Sequence, residues 1–232
     1  MRIWDVHPGY LNRQSLLGEH RELHGIVSII VNERTGYSKH PETIRWIDHG
    51  WALRVRHQLL AAEMSLRSFT EKSPVTIRKN KGKWPEKYID EPIEQFRILG
   101  AKYQHKEKGR IPLPGTAQEL WREHRYSVLA RDPTLHKQIG EQVAEMSPGD
   151  DFSALSRTLT EQVRTPPSSG GIKSTLQQMW GHVSHYTSIP DDNIERWPPK
   201  RLLREIQHLV LTRENSYLLS STALSELNVW IK

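Results

Sequence analysis

The sequence predicts an all-α protein of two helical modules, each an irregular bundle, with the boundary near residue 110. Three observations carry this. Apolar residues recur at three- and four-residue steps along most of the chain, helix-opening signals precede these runs, and the strand-like alternation at Val75 and Ile77 is too short to build a sheet. At 232 residues, with 36% hydrophobic and 26% charged side chains, the chain is long enough and apolar enough to bury one or two cores.

Taken in order, Asn12 caps a first helix over 12–31, with Leu16, Leu23, Val27 and Ile30 on one face. Residues 35–46, with Gly36 and Pro41, read as a loop and short turn. Trp51, Val55, Leu59, Ala62, Leu66 and Phe69 step by four, four, three, four and three, which is an amphipathic second helix. A basic connector over 73–84 holds Arg78, Lys79, Lys81 and Lys83. Pro92 opens a third helix bearing Ile93, Phe96, Leu99 and Tyr103. The run 106–115 then breaks every pattern, so the modules are 1–110 and 111–232.

Beyond it, Thr116-Ala117-Gln118-Glu119 is a capping box. Asp132-Pro133 supplies an N-cap followed by a first-turn proline. Phe152, Leu155, Leu159 and Val163 form a further stripe. Residues 165–171 read as a flexible loop. Helices near 176–186, 202–210 and 221–230 complete the chain.

Charge divides unevenly. Residues 1–110 hold 20 Lys+Arg against 13 Asp+Glu, a net +7, whereas residues 111–232 hold 13 against 14. A basic module joined to a neutral one points to a binder of phosphate backbones. The absence of cysteine excludes disulfides, thiolate metal sites and cysteine nucleophiles. No apolar run approaches the roughly 18 residues of a spanning helix, and the first residues are not a signal peptide. The expectation is a soluble, cytoplasmic protein with no membrane partner.

Two constellations on the first helix could carry chemistry. His20 and His24 are spaced i, i+4 and could grip a metal. However, His20-Arg21-Glu22-Leu23-His24 matches neither common zinc-helix motif, and no third ligand is evident, so no metal is expected. On another face lie Gly18, Glu22 and Gly25. Glycines inside a helix each cost roughly 1 kcal/mol relative to alanine. Close approach of another backbone, or of a substrate beside Glu22, would account for them.

Met1-Arg2-Ile3-Trp4-Asp5-Val6-His7-Pro8-Gly9-Tyr10-Leu11, followed by Gln14 and Arg21-Glu22-Leu23, resembles the endonuclease V-type pyrimidine-dimer DNA glycosylases. So do Gly36-Tyr37, His40-Pro41-Glu42, Arg45-Trp46 and Arg67-Ser68-Phe69, and the resemblance spans about residues 1–75. It implies an N-terminal α-amine that attacks C1′ of the damaged nucleotide, a helical glutamate that assists, and β-elimination at the resulting abasic site. Carried onto this sequence, the amine is that of Met1 and the glutamate is Glu22, with Arg2 and Arg21 on phosphates. Arg2 is bulky enough that Met1 is expected to be retained. Gly25 stands where a basic residue is expected, with His24 adjacent.

An α-amine suits this task. Its ordinary pKa near 8 leaves roughly a tenth unprotonated at pH 7, whereas a lysine near 10.4 leaves less than about a thousandth. No cofactor or metal is needed.

The implied partner is double-stranded DNA carrying UV damage. His24, His40, Arg45, Arg78, Lys79, Lys81 and Lys83 are the further candidate DNA contacts, and Trp46 or Trp51 could wedge the stack if exposed. Residues 118–219, including Trp121, His124-Arg125-Tyr126 and Met179-Trp180-Gly181-His182-Val183, resemble the YbgA-like helical domain of unknown function. That implies a supporting or DNA-lengthening module. Two readings stay open beside the repair enzyme: a noncatalytic helical nucleic-acid-binding protein and a histidine-based metal hydrolase.

Overall fold

A computed structural model describes residues 1–189 and 194–231. Among the described residues every regular element is helical, so the fold is all-α. The chain divides into two compact units, Met1–Gly109 and Arg110–Lys232. No described helix is long and apolar enough to cross a membrane.

In the first unit, α1 (Arg13–Asn32) begins where the sequence places it. Asn12 Oδ1 accepts the Ser15 N–H at 2.8 Å, satisfying one of the orphan donors of the first turn. The helix closes on Glu33 in the left-handed region, φ 50°. Its buried face is Leu16, Glu19, Leu23 and Ile26, with Val27 and Ile30 only half-buried. The sequence-predicted stripe is rotated because Glu19 points inward. Its carboxylate meets Arg56 of α3 (Gly50–Leu66) in a bidentate pair at 2.6 and 2.8 Å. Burial pushes the Glu19 carboxyl up, to about 7, against the pull of that guanidinium. The expected turn at 35–46 contains a real helix, α2 (Pro41–Trp46), opened by proline at its first position. Pro92 opens α4 (Pro92–Lys102) as expected.

These helices hold the chain's first residues. Ile3, Trp4, Val6, Tyr10 and Leu11 are all buried, and burying a large apolar side chain is worth about 1.5–3 kcal/mol. Polar tethers fix the register between them. Asp5 N–H donates to Gln95 Oε1 at 2.8 Å, Arg56 donates to the Val6 carbonyl at 2.9 Å, and Arg67 donates to the Leu11 and Gly9 carbonyls at 2.8 and 3.1 Å. The Tyr10 carbonyl lies so close to Gly109 that a Cβ there would sit 2.4 Å away, which only glycine avoids.

The second unit follows its capping signals. Thr116 Oγ1 accepts the Glu119 N–H at 3.2 Å to open α5 (Ala117–Leu129), while the Glu119 carboxylate reaches back to the Gly115 N–H at 2.7 Å. Asp132 Oδ1 takes the Thr134 and Leu135 N–H groups, each at 2.9 Å, to open α6 (Pro133–Glu145). α7 (Ser153–Val163) follows. The loop expected over 165–171 is shorter than that, because Ser168 caps α8 (Ser169–Trp180). Glycine is required at 171, where an added Cβ would lie 2.1 Å from the Ala130 carbonyl oxygen. Helices Pro199–Thr212, Ser216–Leu219 and Ala223–Trp230 complete the unit. At its centre, Arg131 pairs with Glu226 at 3.0 and 2.9 Å, both side chains almost wholly buried.

The polar residues singled out in this unit are engaged with one another or buried. Tyr126 Oη lies 2.7 Å from His182 Nε2, and Arg125 donates to Tyr217 Oη at 3.2 Å. His124 is buried, held neutral down to about pH 3 by desolvation and by Arg131. This arrangement is a packed interhelical network.

Candidate active site

The tethered first segment ends against α1. The Arg2 backbone N–H donates to Glu22 Oε2 at 2.5 Å. The Met1 side chain rests on the same helix, its sulfur 4.0 Å from where a Cβ on Gly25 would stand. The residue bearing the α-amine is therefore one step, about 3.8 Å between Cα atoms, from a residue bonded to the Glu22 carboxylate. At 100° per residue, Gly18, Glu22, Gly25 and Ile29 share a face about 60° wide. A Cβ on Gly18 would meet nothing within 4 Å, so no packed helix explains this glycine. Beside Glu22 the helix presents bare, open backbone.

Seven residues along that face, at Ile29, begins a cleft of about 550 Å³ whose lining includes Ile30, Arg34, Thr35, Ser38, Asp48, Arg78 and Lys79. Arg21, Arg78, Lys81 and Lys83 are exposed and make no ion pair among the described residues. Lys79 is exposed but paired with Asp48, while its carbonyl accepts the Trp51 N–H at 2.8 Å, docking the connector on the start of α3. Tyr37 is 66% exposed and lies in sequence between Thr35 and Ser38, which line the cleft.

Residues 1–77 match the family model of pyrimidine dimer DNA glycosylase. The match takes in Met1, Glu22, α1, α2 and α3 and stops beside Arg78. This part of the chain is therefore similar to enzymes that excise UV-damaged bases. No curated protein and no solved structure matches the chain.

Several candidate DNA contacts have their side chains engaged within the protein. Arg2 stacks 4.2 Å over the Trp4 ring and pairs with Asp90. Arg45 is only 7% exposed at its side chain, bridging Asp5, Glu42 at 3.1 Å and the Lys87 carbonyl at 2.9 Å. His40 caps α2, its Nδ1 accepting the Glu42 N–H at 3.1 Å. Trp46 and Trp51 are 1% and 7% exposed, which removes both as wedges. Trp46 is buried because its indole N–H donates to Glu42 at 2.9 Å and its ring packs near Trp84.

His24 faces away from Glu22. Its Nε2 lies 3.2 Å from His57 Nε2, and His20 and Glu71 close the group. The pair seen in the sequence thus gains two potential ligands from α3 and the segment after it. Burial and the neighbouring imidazoles push His57 down to about 4, and burial lowers His20 as well. Separations of 33 residues and more hid these partners from any local motif.

Proposed function

We propose that this chain is a DNA glycosylase with abasic-site lyase activity, acting on pyrimidine dimers in UV-damaged duplex DNA through the α-amine of Met1. One observation carries the reading: the hydrogen bond from Arg2 N–H to Glu22, which holds the head of the chain at a carboxylate on an open helix face.

The amine lone pair forms a bond to C1′ of the damaged nucleotide as the glycosidic bond breaks and its electrons leave with the base. Glu22 stabilises the cationic sugar by its charge, and it accepts the proton that the attacking nitrogen gives up. Ring opening yields an imine between that nitrogen and C1′. Loss of a C2′ proton then expels the 3′-phosphate and cuts the strand. Glu22 Oε1, which accepts no hydrogen bond among the described residues, faces this task while Oε2 holds Arg2.

Arg21, Arg78, Lys81 and Lys83 take phosphates, with Lys79 joining when its exposed pair with Asp48 opens. Arg2 and Arg45 act chiefly by fixing the first residues. A flipped nucleotide leaves a gap in the stack, and Tyr37 is the exposed aromatic placed to fill it. The second unit lengthens or steadies the grip on DNA.

The test compares UV-irradiated, abasic and undamaged duplexes. The expected result is strand cleavage of the first two, leaving an unsaturated aldehyde on the 3′ end of the upstream fragment and a 5′-phosphate on the downstream one. Salt-sensitive binding without any cleavage would instead establish a noncatalytic nucleic-acid-binding protein.

A further inference from the structure

We propose that His20, His24, His57 and Glu71 form a binding site for one divalent transition-metal ion of the zinc type. The site is separate from the Glu22 face, because two residues along a helix turn the side chain by about 200°. His20 and His24 come from α1, His57 from α3 and Glu71 from the segment that follows α3.

The geometry is close to what four-coordinate zinc needs. Ligand distances of 2.0–2.1 Å to nitrogen imply a tetrahedral edge of about 3.3 Å. His24 and His57 Nε2 atoms are already 3.2 Å apart, and Glu71 Oε1 lies 3.7 Å from His20 Nε2 and 3.8 Å from His57 Nε2. All four donor atoms fall within 4.8 Å of one another. The three imidazole rings stand 4.7–5.0 Å apart, so a small rotation of Glu71 and His20 closes the shell.

The donors are also prepared for an ion. Metal-ligating imidazoles must be neutral, and both His20 and His57 are biased towards that form. His20 Nε2 is buried with no hydrogen-bond partner among the described residues, a costly state for a polar atom that a bound cation would relieve. Three nitrogens and one carboxylate suit zinc better than calcium or magnesium, which prefer all-oxygen shells. Because the protein supplies four ligands, no position remains for an activated water. The ion is therefore a structural clamp joining α1, α3 and the start of the connector that carries Arg78, Lys81 and Lys83.

The test uses the full chain, stripped with chelator and titrated with zinc sulfate by calorimetry, with bound metal counted by mass spectrometry after dialysis. One zinc per chain and a raised Tm are expected, and cobalt in its place should show the visible bands of a tetrahedral site. A His20→Gln/His24→Gln variant should lose stoichiometric binding while keeping the far-UV circular dichroism of the metal-free protein. Glu71→Gln, outside any helix, decides the matter should that double variant not fold, and it should weaken binding by more than about tenfold. Substoichiometric zinc in the wild type, or unchanged affinity in Glu71→Gln, would overturn the proposal and leave a packed histidine cluster.

Discussion

On one face of α1, Glu22 stands between Gly18 and Gly25 and receives the head of the chain; on the opposite face, His20 and His24 close onto His57 and Glu71. The same helix thus offers a half-buried carboxylate beside bare backbone on one side and a cluster of imidazoles, only one of them fully buried, on the other. The difference lies in what the fold brings to each. Two glycines and a short tethered segment keep the first face uncovered, whereas α3 packs directly against the second. An ionisable residue on a helix acquires a role from its tertiary neighbours, and in the proposed reading two neighbourhoods on one helix separate chemistry from support.

The sharpest way to break the contrast is at Glu22. Glu22→Gln keeps an acceptor for the Arg2 N–H, so folding and binding of UV-irradiated duplex should change by less than about threefold. Strand cleavage should nonetheless fall about 10²–10⁴-fold, the scale of a lost acid–base and charge-stabilising group. Next in size is the joint between α1 and α3. Arg56→Met leaves the Glu19 carboxyl buried without its partner, and denaturant unfolding should register a loss of about 3–5 kcal/mol.

How much of this was legible beforehand follows the same line. Asn12, Thr116 and Asp132 marked helix starts correctly because a cap is a contact within three residues, and Pro92 did so because its fixed φ suits the first helical position. Glu22 was reached through a resemblance to a family, together with glycines that need a local reason. By contrast, Arg45 looked like a free cation until Asp5, forty residues away, was folded against it. His57 and Glu71 joined the histidine pair in the same long-range manner. Gly170 and Gly171 read as a loop because the close approach of Gly171 to Ala130 has no sequence signature.

The histidine-bearing face should be sensitive to acid. His57 titrates near 4 in the folded chain against an ordinary 6.5, so the unfolded state binds more protons between those values. Its contribution is complete above pH 6.5 and is lost as the pH falls towards 4. Urea unfolding at pH 5 should therefore show roughly 1–3 kcal/mol less stability than at pH 7.5, and His57→Gln should flatten that slope. The open face gives the smallest stability effect and the clearest contrast. Gly18→Ala has room for its methyl group and should stabilise the chain by about 0.5–1 kcal/mol. If DNA approaches the bare backbone there, the same variant should cleave more slowly, and unchanged cleavage would confine the substrate to the other side of Glu22.

The central claim, that the amine of Met1 is the nucleophile beside Glu22, meets its most direct test in borohydride reduction during turnover of UV-irradiated duplex. A single covalent protein–DNA adduct mapping to the amine of Met1 is predicted, and a chain extended by one residue ahead of Met1 should fail to form it. An adduct on an internal lysine, or undiminished trapping by the extended chain, would contradict the account.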